Sequence, residues 1–335
     1  MQIAEVGTRA FAQVSETGTC RLPPTCAKSR GQGETPMTMN EMTWLLGVDL
    51  RPDADGAVAF ASWLASARRE DTVIPVHVLV ADHLQAVLQR RHLAEVQDAA
   101  KAAMLTLIAK HDTDNHFAEP RIVEGGTAEG RLELIREEES ARVLVLNRFA
   151  TEARRSLRRL GRVARRSLRA LNSPVITVPP GLTAEKIGKG PVLVTTNLTE
   201  ECGRALEFGA DLAKRLGRKL VVTTVRRVPD QQAPSYMHEA ATDKVAEVRT
   251  QETAAALSKW VEDHNEAVDE QVVLLGEVVT TVTSLAAERD ACLIVAGSRP
   301  LSQLERMFLT SVGRGLSAIS TTPVAIVPPG DMSAK

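Results

Sequence analysis

Short apolar runs alternate with longer amphipathic segments along the chain from Trp44 onward. The short runs are rich in Val, Ile and Leu, which predicts buried β-strands, whereas the longer segments place apolar residues at helical spacing. Predicted strands cover 44–50, 72–80, 121–126, 142–147 and 174–180, and then 191–198, 219–228, 271–276, 291–297 and 323–330. Predicted long helices cover 56–69, 84–111, 202–217 and 238–264. Strands that alternate with helices of this length favour an α/β fold built on a doubly wound parallel sheet.

The order of elements repeats within the chain at an offset of 148 to 149 residues. Asp49 then corresponds to Asn197, Phe60 corresponds to Phe208, and the sequence SPVITVPPG corresponds to TPVAIVPPG. Agreement over the whole length indicates duplication of one domain. The sequence therefore predicts two tandem domains. They cover residues 42–180 and 191–330 and are joined by a Pro- and Gly-rich linker at 181–190.

The first 41 residues differ in character from the rest of the chain. They are polar, interrupted by Pro and Gly, and follow neither a helical nor a strand period, which predicts a disordered extension. They also lack the pattern of a secretory signal. Met37, Met39 and Met42 lie just before the first predicted strand, so translation that starts at one of them is an open alternative.

Composition narrows the class of protein. Apolar residues make up 44% and aromatic residues only 3%, so we expect cores of Val, Leu, Ile and Ala. A net charge of −1 gives no overall attraction to nucleic acid or membrane, and no apolar run is long enough to predict a membrane span. Cysteines are too few and too scattered for a disulfide framework, and they suit a reducing cytoplasm: Cys20, Cys26, Cys202 and Cys292.

The end of the second repeat resembles a known family. The sequence AGSRPLSQLERMFLTSVGRGLSAISTTPVAIVPP is similar to the C-terminal signature of the universal stress protein domain, G-x2-G-x9-G-[ST] followed by a helix and a Pro-led strand. The resemblance covers roughly 43–180 and 190–329. It implies two Rossmann-like, adenine nucleotide alpha hydrolase-like domains that pair through their last strands as an intrachain pseudo-dimer. It also implies an ATP site, with Mg when ATP binds, and leaves a further homodimer open.

The first copy keeps one part of the nucleotide motif that the resemblance implies. Asp49 stands at the end of the first strand, where the Asp of ATP-binding members contacts the adenine and ribose. Asn147, Ala150 and Gly161 stand at the three glycine positions, and Arg162 replaces the hydroxyl residue.

The second copy keeps a different part of the motif. Thr196 or Asn197 stands at the Asp position. The glycine positions hold Gly297, Pro300 and Thr310, while Ser311 keeps the hydroxyl. Proline has no N–H to offer a phosphate. The sequence therefore predicts a degenerate nucleotide site, with the first copy favoured and a different ligand near Gly297, Arg299 and Ser311 as an alternative.

Arginine is concentrated between Arg148 and Arg169, where nine arginines accompany Glu152 as the one acidic residue. Arg148 and Arg162 fall where the resemblance places the phosphates, and guanidinium groups bind phosphate well. The alternatives are a docking face for RNA, an acidic lipid or an acidic protein, and a solvated helix without a partner.

Other polar clusters carry weaker predictions. The sequence HDTDNHF (111–117) has metal-like spacing but lies at a helix end, where a polar loop is normal, and we expect no metal there. His77 lies within a strand and is expected to be structural. No known catalytic motif occurs, so we expect a stress-response regulatory protein that acts by binding, with a weak ATPase or an adaptor that uses the arginine segment as alternatives. The predicted binding residues are Asp49, Arg148, Gly161, Arg162, Gly297, Arg299 and Ser311.

Overall fold

The computed structural model describes residues 20–22, 41–51, 55–79, 86–111, 115–148, 160–226, 239–298 and 312–329. Its strands are β1 (Cys20–Leu22), β2 (Thr43–Gly47), β3 (Thr72–Leu79), β4 (Arg121–Glu124), β5 (Val143–Asn147), β6 (Val175–Val178), β7 (Val192–Thr196), β8 (Leu220–Arg226), β9 (Glu270–Leu275), β10 (Leu293–Gly297) and β11 (Val324–Val327). Its helices are α1 (Asp55–Ala65), α2 (Ala86–Ala109), α3 (Ala128–Glu138), α4 (Arg162–Ala170), α5 (Gly203–Leu216), α6 (Glu239–Asp263), α7 (Val278–Glu288) and α8 (Val312–Ile319).

All described strands form one sheet, which is built from two similar halves. The first half has the parallel order β6-β5-β2-β3-β4, and the second half has the parallel order β11-β10-β7-β8-β9. In each half the first strand along the chain is central, and the chain winds outward from it in both directions. This doubly wound topology confirms the predicted fold class.

The two halves join through their last strands. β6 and β11 pair antiparallel, with Ile176 opposite Ala325 at the centre of the register. The predicted intrachain pair is therefore confirmed.

The core follows from the strand sequences, because strands covered on both faces are apolar at nearly every position. One continuous cluster on one face of the sheet runs through both halves, and it includes Trp44 and Phe60 of the first half and Leu206 and Leu212 of the second. On the other face each half has a cluster of its own. The pair of halves therefore shares one core layer. Among the described residues, none of the helices is both long enough and apolar enough to span a membrane.

A buried ion pair also connects the halves. Asp71 precedes β3, and its carboxylate lies 3.3 Å from the Arg215 guanidinium of α5, with 1% and 3% of the two side chains exposed. The same carboxylate accepts the backbone N–H of Met42 at 3.0 Å, and the Nε of Arg215 contacts Asp211 at 3.2 Å. The sequence analysis did not predict this pair, since its members are 144 residues apart.

The N-terminal extension differs from its prediction at three residues. The sequence predicted disorder over 1–41, but Cys20–Leu22 forms β1, which pairs antiparallel with β9 at the edge of the second half. A three-residue strand is too short to show a period, which is why the pattern analysis missed it. Residues 1–19 and 23–40 lie outside the described part of the chain.

Candidate functional site

Each half of the sheet has a topological switch point at the carboxyl ends of its strands, where the winding direction reverses. In parallel α/β sheets such a switch point is the usual position of a ligand. In the first half it lies between β2 and β5, and in the second half between β7 and β10. We call these the first crevice and the second crevice.

Asp49 lies at the first crevice, two residues after the end of β2. Its carboxylate is 38% exposed and contacts the Arg51 guanidinium at 3.3 Å. The backbone before it is held by β3, because Val48 donates its N–H to the Val76 carbonyl and its own carbonyl contacts Nδ1 of His77 at 2.8 Å. His77 therefore positions the loop that carries Asp49, in agreement with its predicted structural role.

Asn147 ends β5 on the other side of the first crevice. It stands opposite Val178 in the sheet register, as Gly297 stands opposite Val327 in the second half, so these two residues are structural equivalents. The Oδ1 of Asn147 accepts the N–H of Ala57 in the first turn of α1 at 3.0 Å. A side chain that replaces the family's glycine thus satisfies an amide at a helix N-terminus, a role that the sequence analysis missed.

Gly161 and Arg162 lie at the start of α4, beside the end of β5. The N–H of Gly161 donates to the Arg148 carbonyl at 2.7 Å, which holds the beginning of α4 at this edge of the sheet. Gly161 is the N-cap of α4 and makes no side-chain cap, and Arg162 is exposed. The first-turn amides of α4 and a guanidinium therefore border the first crevice together.

The Arg148 side chain has a different environment. Its guanidinium donates to the Ser320 carbonyl of the second half, and its backbone N–H donates to the Val178 carbonyl. Arg148 thus contributes a contact between the halves. Its predicted contact with a phosphate stays a prediction.

The second crevice has a different set of side-chain contacts. Asn197 stands at the position of Asp49, and its Oδ1 accepts from the Thr199 hydroxyl at 2.8 Å and from the Cys202 thiol at 3.0 Å. A Cβ atom on Gly297 would lie 3.1 Å from the Cys202 sulfur, so the start of α5 packs directly on this glycine. The predicted residues Arg299 and Ser311 lie outside the described residues.

The family model for the universal stress protein family matches residues 42–179 and 190–328. The chain belongs to the universal stress protein family. Universal stress protein YxiE of Bacillus subtilis (strain 168) is 30% identical over 145 residues, which are 41% of this chain and 97% of YxiE. The crystal structure of a universal stress protein from Archaeoglobus fulgidus DSM 4304 covers 86% of this chain and 98% of its own, with a TM-score of 0.61 and 18% identity. The two family matches confirm the predicted tandem arrangement.

The arginine segment of this universal stress protein is described from Leu160 onward. Arg162, Arg165 and Arg169 are exposed, while Ala164 and Ser167 face the interior. Arg166 contacts Glu129 of α3 at 2.8 Å. Burial raises the pKa of Glu129, but hydrogen bonds from its own backbone N–H, from Arg166 and from Thr127 outweigh it and hold the pKa below its usual value.

The remaining polar candidates have structural partners. Nδ1 of the buried His116 contacts the Asp71 carbonyl at 3.2 Å, and the His111 carbonyl accepts the Ser62 hydroxyl at 2.7 Å. Asp112 and Asp114 lie outside the described residues. In the ranges that the structure describes, no three metal-ligating side chains form a group.

Proposed function

We propose that this universal stress protein is a regulatory protein that acts by binding an adenine nucleotide in its first crevice. Universal stress proteins have been solved in complex with cAMP and with dAMP, so nucleotide ligands occur in the family. The observation that carries the proposal for this chain is the geometry of the first crevice. A partly exposed carboxylate, Asp49, borders it on β2, and the uncapped start of α4 with Arg162 borders it beside β5.

The chemistry of these groups suits a nucleotide. The Asp49 carboxylate can accept hydrogen bonds from ribose hydroxyls, as an Asp or Glu does in dinucleotide-binding folds. The N–H groups of the first turn of α4 and the Arg162 guanidinium are donors for phosphate oxygens. Mg²⁺ would accompany ATP as a phosphate-bound ion, and no protein ligand is assigned to it.

The second crevice is less suited to the same ligand. Its equivalent residue, Asn197, already accepts hydrogen bonds from Thr199 and Cys202. An amide has one acceptor oxygen and a carboxylate has two, so Asn197 has less capacity than Asp49 to accept hydrogen bonds from a ribose. We therefore propose one nucleotide per chain, in the first half.

Calorimetric titration with Mg-ATP tests the proposal. The full chain is expected to bind one equivalent, Asp49→Ala is expected to weaken binding by about tenfold or more, and Asn197→Ala is expected to leave it unchanged. Asn197→Ala is the matched control because it makes the same truncation at the equivalent position of the other half. Absence of heat from the full chain, or equal losses in both variants, would contradict a site in the first crevice.

Turnover of ATP is the competing function. Hydrolysis requires a group that positions and activates water at the phosphate, and the proposed site assigns Asp49 to the ribose. We therefore propose binding without appreciable hydrolysis. Phosphate release measured on the calorimetry samples decides between them: steady release that is lost in Asp49→Ala would make the protein a weak ATPase.

A second candidate function rests on the exposed face of α4. Arg162, Arg165 and Arg169 are exposed, and within the described ranges none of the three forms an ion pair. Such a face attracts an anionic partner through charge, and binding then weakens steeply with salt. Anisotropy of a labelled oligouridylate at two salt concentrations tests it. Arg165→Gln/Arg169→Gln is expected to reduce binding and its salt dependence, while Arg204→Gln on the exposed face of α5 serves as the charge-matched control.

A further inference from the structure

The two outer edges of the sheet are protected in different ways. β4 ends the first half, and its four residues are exposed or partly exposed, with charged residues at both ends. Arg121 of β4 forms an ion pair with Glu139. Charged residues on an edge strand discourage pairing with another chain.

β9 ends the second half of the sheet and lacks this kind of protection. Its central residues are almost fully buried, with exposures of 1% for Gln271, 0% for Val272, 0% for Val273 and 2% for Leu274. The strand β1 pairs with part of this run, since Leu22, Arg21 and Cys20 stand opposite Gln271, Val272 and Val273. Helix α6 contacts both β9 and β1. The chain therefore covers an apolar edge with a piece of its own N-terminal segment.

Gln271 is the buried polar residue of this run and faces α6. Its Oε1 accepts the Ser258 hydroxyl of α6 at 3.0 Å, but its Nε2 is buried without a hydrogen-bond partner in the described part of the chain. A buried amide without an acceptor costs free energy.

The position of β1 is compatible with pairing within one chain. Eight strand spacings separate β1 from β2, which is about 38 Å across the sheet. The segment from Leu22 to Thr43 can extend to at most about 70 Å. The contact is nevertheless small, because a three-residue strand contributes few ladder hydrogen bonds, and such a strand opens more readily than the sheet centre.

We propose that the β9 edge is a self-association site that β1 closes in the single chain. When β1 leaves, the β9 strands of two copies pair antiparallel about a twofold axis perpendicular to the sheet, which places one central residue of β9 opposite its own copy. β1 already pairs with β9 in the antiparallel direction, and β9 is six residues long, so a second β9 supplies a longer partner than β1 does. A twofold pair of identical edges is closed and does not grow further.

Proline substitutions in the full chain test the proposal. Successive residues of a strand point their N–H groups in opposite directions, so Arg21→Pro/Leu22→Pro must remove a ladder donor. The matched control is Arg30→Pro/Gly31→Pro, which places the same substitutions outside β1. Amide hydrogen exchange over Gln271–Leu274 and mass by light scattering are measured on both variants and on the parent chain.

We expect the first variant to have about tenfold faster exchange over Gln271–Leu274 at low concentration and to double in mass at high concentration. A synthetic peptide of residues 16–26 is expected to restore the monomer. Unchanged exchange would overturn the pairing of β1 as a protective contact. If exchange becomes faster but the mass does not increase, a second copy does not occupy the β9 edge. The same conclusion follows if the control variant shows the same increase in mass.

Discussion

The buried ion pair between Asp71 and Arg215 permits a quantitative test of how the two halves depend on each other. Arg215→Met keeps most of the length of the side chain but removes its charge. Asp71 would then remain as a carboxylate that is 1% exposed and keeps the Met42 N–H as a hydrogen-bond donor. Removing one member of such a buried pair costs about 3–5 kcal/mol of unfolding free energy, because the other charge stays buried without compensation.

The double variant separates this cost from a loss of packing. Asp71→Asn/Arg215→Met removes both charges and keeps an acceptor for Met42, so it is expected to be more stable than Arg215→Met alone. Arg204→Met is the control, since Arg204 is exposed on the same helix and should change stability by less than about 0.5 kcal/mol.

Urea unfolding, followed by circular dichroism and tryptophan fluorescence, measures these differences. Trp44 and Trp63 report on the first half and Trp260 on the second. Because the ion pair joins the halves, we expect the urea midpoints from circular dichroism and from tryptophan fluorescence both to fall in Arg215→Met. A loss below about 1 kcal/mol in Arg215→Met, or a double variant no more stable than the single one, would refute the reasoning.

Three further predictions concern single positions. Gly209→Ala is expected to destabilise the protein by about 1–3 kcal/mol in thermal unfolding, because its Cβ would lie 2.4 Å from a Val194 methyl group; an unchanged melting temperature would contradict this. The pKa of Glu129 is lowered in the folded protein, so its contribution is present above the unfolded pKa near 4.5 and is lost as the pH falls through the folded value. Glu129→Gln should therefore reduce the loss of stability between neutral and acid pH, as measured by urea midpoints. Burial raises the pKa of the Cys292 thiol to about 12, so iodoacetamide at pH 8 should modify it only after unfolding, and labelling of the native protein mapped to this residue would show that the site is open.

The strands and their order within each half could be predicted because the signals are local. A buried parallel strand is a run of apolar residues, and β5 was predicted at 142–147 and lies at Val143–Asn147. Because the domain is duplicated, each predicted element has an equivalent in the other half. An apolar run that could be a strand or a helix in one half was therefore assigned with the help of its equivalent. The pairing of the two last strands, β6 and β11, was expected from the family resemblance, no periodicity implies it, and its antiparallel direction is seen only in the structure.

The contacts that shape the site could not be predicted, because they join residues far apart in the sequence. Asn147 accepts from Ala57 across 90 residues, and Arg148 donates to Ser320 across 172. Sequence alignment placed Asn147 at a glycine position and indicated a defect in the nucleotide motif. The structure shows that the side chain has a use there, as an acceptor for the first turn of α1.

Joining two copies in one chain allows the two crevices to differ. In a homodimer of identical domains, every substitution in one crevice also occurs in the other. A residue that stabilises the interface but weakens ligand binding therefore affects both sites. Here Asp49 and Asn197 are equivalent by register, yet one is a carboxylate that contacts Arg51 and the other is an amide that accepts from Thr199 and Cys202. The shared core layer and the β6–β11 pairing need only apolar strands, so they place no demand on either crevice. The second half can therefore serve as a structural partner while the first holds the proposed nucleotide site.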